Sequence, residues 1–111
     1  MEVAQHRLRD IRKVLMSRNG VIRLGTHTPK RMKKRGYNKG DLVSCIRTGV
    51  IKEIQTKYDK WTRKVSFCYV IAGRDQSDNP IIVILGENSR YDFTVVTVMP
   101  PLDQNRFDEC I

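Results

Sequence analysis

Ala4, Leu8, Ile11 and Leu15 recur at intervals of four, three and four along an otherwise polar stretch. That spacing places them on one face of a helix and predicts a helix over residues 2–17, with Arg7, Arg9, Arg12 and Lys13 on its other faces. Asn19-Gly20 supplies a left-handed stop. Val21-Ile22-Arg23-Leu24 can form a short strand, ended by Gly25. Thr28-Pro29 makes a helix start, because threonine can cap and proline is tolerated where its missing N–H would go unpaired. This second helix is expected to stop at Gly36. Asn38 is placed to cap a third, with Asp41 in a first turn that favours an acid. Leu42, Val43, Cys45 and Ile46 form its apolar side, and Gly49 closes it.

After Gly49 the period shortens. Residues 50–58, 65–73, 81–85 and 93–99 read as four strands. Val65, Phe67, Tyr69 and Ile71 alternate with Ser66, Cys68, Val70 and Ala72, and residues 81–85 are apolar throughout, so both segments suit central positions. The connections are short and rich in turn formers, which favours an antiparallel meander. The expected fold is therefore α+β: N-terminal helices packed on a curved four-stranded antiparallel sheet. Residues 1–111 make one domain, with residues 2–17 a helix at its start and 102–111 a loosely held tail.

Charge sharpens this picture. Residues 1–40 hold twelve Lys/Arg against two acids, whereas residues 41–111 hold nine against ten. A basic half of this kind attracts polyanions, so nucleic acid is the expected partner; a merely solvated basic surface is the alternative. No apolar run approaches the roughly 20 residues that span a bilayer, and the first residues lack a signal-peptide pattern. The expectation is a cytoplasmic protein with no membrane contact. Cys45, Cys68 and Cys110 are odd in number and widely spaced, which argues against a disulfide framework or a zinc cluster. Cys45 and Cys68 read as small reduced core residues. No glycine-rich phosphate loop, H-E-x-x-H or carboxylate cluster points to a metal or cofactor.

The chemistry concentrates in His27-Thr28-Pro29-Lys30-Arg31-Met32-Lys33-Lys34-Arg35-Gly36. On a helix, His27, Arg31 and Arg35 form one stripe, with Met32 turned inward. A row of cations contributes nothing to helix stability but suits phosphate, for which Arg is a bidentate donor. Lys30, Lys33 and Lys34 add candidate nucleic-acid contacts. Tyr58 and Trp61 flank a basic turn with Lys57, Lys60, Arg63 and Lys64; they could stack on bases or simply cover a hairpin end.

The order His-x-x-x-Arg-Met-x-x-Arg-Gly, then Tyr69-Val70-Ile71-Ala72-Gly73-Arg74, then Thr97-Val98, resembles an uncharacterised prokaryotic domain family over about residues 26–100. That family is placed among the relatives of the RelE and BrnT toxins of toxin–antitoxin systems. The resemblance implies a small ribonuclease fold of the RelE/barnase-like kind, RNA as substrate, no metal or cofactor, and control by an acidic antitoxin-like protein. It also implies attack of a 2′-OH on the adjacent phosphate, which needs an acid–base group and cations for the charged phosphorane. Histidine ordinarily titrates near neutrality, so His27 takes the acid–base role. Arg31 and Arg35 would steady phosphate charge, with Arg74 and Thr97 as further candidates from the sheet. Two rivals stand beside this toxin-like endoribonuclease. One is a non-catalytic nucleic-acid-binding or regulatory protein, of host or phage origin; the other is a module that binds protein.

Overall fold

A computed structural model describes residues 2–16, 21–89 and 91–101, with the side chains of the first helix described from residue 6 onward. Three helices, α1 (Glu2–Met16), α2 (Thr28–Arg35) and α3 (Lys39–Thr48), lie on one face of a sheet. Its strands are β1 (Val21–Leu24), β2 (Val50–Asp59), β3 (Lys64–Arg74), β4 (Pro80–Ser89) and β5 (Asp92–Met99). They run in the order β1-β5-β4-β3-β2. The α+β class is as expected, but the sheet has five strands and is mixed rather than four-stranded and antiparallel. The added strand is β1, which pairs in parallel with β5 from Val21 opposite Asp92 to Leu24 opposite Val95. Local turn chemistry announces antiparallel neighbours only. A parallel partner 71 residues downstream leaves no local mark, because everything between them is the crossover.

The core lies between the helices and the sheet. Leu8, Ile11 and Val14 of α1 are buried with Leu42, Cys45 and Ile46 of α3 against Ile71, Val83, Phe93 and Val95. Leu15 packs at the edge of this cluster, and the side chain of Ala4 lies outside the described residues, as do Asn19-Gly20 and the tail 102–111. Gly73 lets α3 sit this close to β3, since a Cβ there would collide with the carbonyl of Cys45. A second apolar layer, Cys68, Val70, Ile82, Ile84 and Met99, occupies the opposite face of the sheet.

Two of the expected caps can be compared directly. Asn38 caps α3 as foreseen: its side chain accepts from Asp41 N at 3.0 Å, and Asp41 Oδ2 accepts from Asn38 N at 3.0 Å. Thr28, by contrast, does not cap α2. His27 holds the cap position with helical backbone angles and no side-chain cap bond, and Thr28 is the first helical residue. Its buried hydroxyl instead donates toward Val95 O at 2.7 Å and Val96 O at 3.1 Å. Among the described residues, no helix is long and apolar enough to cross a membrane.

Candidate nucleic-acid interface

An eight-residue helix with five cations has little stability of its own. What holds α2 is the edge of β5. β1 pairs with that strand only as far as Val95, where Gly25 N donates to Val95 O at 3.0 Å. Beyond that point α2 takes the place of a neighbouring strand. Thr28 reaches Val95 and Val96, and Arg35 Nη1 donates to Val98 O at 2.8 Å. Met32, 4% exposed, enters the core between these two tethers. Gly36 then ends the helix at φ 80°, a left-handed angle that glycine adopts without strain.

This docking sorts the stripe read from the sequence. His27 and Arg31 are exposed, as are Lys30, Lys33 and Lys34, while Arg35 is half-buried. Among the described residues, no acid forms an ion pair with any cation of α2; the pairs are Arg7 with Asp10 and Glu87, and Arg23 with Asp92. Arg35 serves the fold, closing the carbonyl of Val98. It also lies near Tyr37, whose phenol burial and then Asp75 push above its ordinary pKa while Arg35 acts in the opposite direction.

The two candidates from the sheet do not join this group. Thr97 pairs with Ile84, in the apolar layer on the far face, and is 1% exposed with no hydrogen-bond partner for its hydroxyl. Simple alternation from Phe93 and Val95 would have aimed Thr97 at the helices. The register shift that leaves Val96 unpaired reverses the side on which the rest of β5 faces. Arg74 follows Gly73, which pairs with core Ile81, so it too alternates to the far side. Its guanidinium reaches Asp78 O at 3.3 Å, and it borders a cavity of about 310 Å³ with Val50, Ala72 and Ile82. A groove of about 640 Å³ lies along α3 beside Val43, Ser44 and Arg47; neither hollow contains a residue of α2. The geometry thus keeps His27, Lys30, Arg31, Lys33 and Lys34 on one exposed helix and separates Arg74 and Thr97 from them.

The family model for a domain of unknown function, DUF4258, matches residues 24–100, from the end of β1 to just past β5. The chain belongs to the DUF4258 family. No curated protein and no solved structure matches it. The DUF4258 match contains α2 and the whole β2–β5 sheet, while α1 lies before it.

The cysteines add no second site to this DUF4258 domain. Cys45 is a free thiol, wholly buried, with Sγ 3.7 Å from the carbonyl oxygens of Ile71 and Ile81. Burial pushes its pKa up to about 12, which keeps it protonated and unreactive at neutral pH. Cys68 is disulfide-bonded, so the reading of both as reduced core thiols holds for Cys45 alone. Among the described residues, no three His, Cys, Asp or Glu gather to hold a metal ion.

Proposed function

We propose that the chain binds RNA through the exposed face of α2, and that His27 at the head of that face is the acid–base group of a toxin-like, metal-independent endoribonuclease. The observation that carries the reading is the set of four exposed cations, Lys30, Arg31, Lys33 and Lys34, none paired with an acid among the described residues. A fold held by other contacts has no need of such a cluster, whereas phosphates favour it through counterion release. His27 stands one helical turn before Arg31, its side chain not engaged in capping. A phosphate seated by Arg31 would bring a neighbouring 2′-OH or leaving oxygen toward the imidazole. The same uncovered face is the one an acidic antitoxin-like protein would neutralise.

A non-catalytic RNA-binding protein is the second reading, and a specific observation favours it. Arg74 and Thr97 lie on the far face and Arg35 closes a backbone carbonyl, which leaves only His27 and Arg31 for chemistry. The two readings part in one experiment. Purified protein is incubated with total RNA beside a His27→Ala variant, and the new ends are mapped. The nuclease predicts cleavage that falls by about 10²–10⁴-fold in the variant while RNA binding stays near wild type. Wild-type protein that binds RNA yet leaves it intact, with ribosomes and divalent metal supplied, retires the nuclease and keeps the binder.

A further inference from the structure

The last β3–β4 pair is Cys68 with Gly86, but β2 and β3 continue together to Asp59 opposite Lys64. Residues 56–59 and 64–67 therefore form a two-stranded arm that parts from β4, while β4 itself continues to Ser89 opposite Asp92 of β5. Register decides what its helix-side face presents. Ile51 and Ile71 are paired and belong to the core under the helices, so the same face continues through Tyr69, then Phe67, then Val65 opposite Tyr58. Tyr69 is covered, with Arg7 stacked 5.6 Å above its ring. Further out the cover stops: Phe67 is 38% exposed, Tyr58 58% and Trp61, in the turn, 95%. Tyr58 and Phe67 are diagonal neighbours across the two strands, roughly 7–8 Å apart in backbone terms.

The turn is built rather than slack. Asp59 Oδ1 accepts from Trp61 N at 2.8 Å and from Thr62 N at 3.4 Å, and Arg63 takes a left-handed φ of 55°. Around the rings stand Lys57, Lys60, Arg63 and Lys64, all exposed, against the single acid Asp59, whose carboxylate is already engaged by the turn. Three exposed aromatic rings on a two-stranded extension give the fold little, since a ribbon without a third strand is marginal in water. We infer that the β2–β3 arm is a stacking platform for the unpaired bases of a single-stranded RNA, with Tyr58, Trp61 and Phe67 as the rings and the four cations holding the backbone.

The chemistry favours this occupant. Every base has a π-face that an exposed ring can accept in any sequence, and a flexible single strand can lay its phosphates along cations on both sides of the arm. Paired bases are already stacked on one another and offer the rings nothing. The inference takes its ligand class from the RNA-binding reading and narrows it to unpaired RNA.

Trp61 is the only tryptophan, so its emission reports on this arm alone. The test titrates a short oligouridylate, a duplex RNA of equal length, and polyglutamate into wild type, Trp61→Ala, Tyr58→Ala and a Lys33→Gln/Lys34→Gln variant. Fluorescence of the indole and anisotropy of the labelled RNA are followed, with circular dichroism to check that each variant is folded. The single strand should quench Trp61 and the duplex should not. Tyr58→Ala and Trp61→Ala should each weaken single-strand binding by roughly 5- to 100-fold and leave duplex binding nearly unchanged. Single-strand binding of full strength, without quenching and indifferent to Tyr58→Ala, overturns the arm while the RNA-binding reading stands. Failure of both RNAs to bind at all overturns both. Quenching by polyglutamate but not by RNA reassigns the arm to an acidic protein.

Discussion

The first and second helices look alike as charge and differ in what the charge does. Helix α1 carries Arg7, Arg9, Arg12 and Lys13; α2 carries Lys30, Arg31, Lys33, Lys34 and Arg35. In α1 two of the arginines belong to the fold. Arg7 pairs with Asp10 and Glu87, donates to the hydroxyl of Tyr69 at 3.2 Å and stacks over the rings of Tyr69 and Phe93. Arg12 donates to Ile46 O at 3.0 Å, in the last turn of α3, and to Gly49 O at 2.8 Å just past its end. In α2 only Arg35 has such a task, and the others face outward. A count of cations per segment therefore overstates the surface available to a polyanion. What separates a binding cation from a structural one is whether a carboxylate, carbonyl or ring of the same chain already holds it.

The largest effect that tests this contrast is on stability. Leu8 is 5% exposed in the core face of α1, and Leu8→Ala should lower unfolding free energy by about 2–5 kcal/mol. An unchanged melting temperature would mean that α1 is peripheral and its arginines are no more structural than those of α2. Next comes Arg7→Ala, which leaves the half-buried Glu87 and the hydroxyl of buried Tyr69 without their cation. Denaturant unfolding should show a loss of about 2–3 kcal/mol, and the salt dependence of RNA binding should stay where it was. The reverse pattern would make Arg7 a phosphate contact and erase the difference between the helices. Smallest in stability is the Lys33→Gln/Lys34→Gln pair, which should stay within about 0.5 kcal/mol of wild type. Yet it should flatten the slope of log affinity against log salt for single-stranded RNA by roughly 0.7 per lysine. A slope that does not move would direct attention away from α2.

Much of this was legible along the chain. The Leu8, Ile11 and Leu15 spacing, the Asn38–Asp41 cap, the inward Met32, the Gly36 stop and the strands all follow from periods and turn residues. These depend on neighbours within about one turn or one pleat, so a linear pattern contains them. The family itself is shown by the match over residues 24–100, which gives a domain of unknown function.

What the pattern could not contain was set by contacts far apart in the chain. The parallel pairing of β1 with β5 depends on a crossover through every other element. The outer edge of β5 then lacks a strand partner beyond Val95, and that gap is what turns Thr28 from a cap into a tether and ties Arg35 to Val98 O. One unpaired residue, Val96, reverses the side of Thr97, and alternation from Gly73 does the same for Arg74. Composition along the chain thus determined that a basic, α+β chain would carry its cations and rings in α2 and the Tyr58–Phe67 stretch. Tertiary packing decided which of those groups remain outside, because burial and hydrogen bonding are settled by partners that only the folded chain brings within reach.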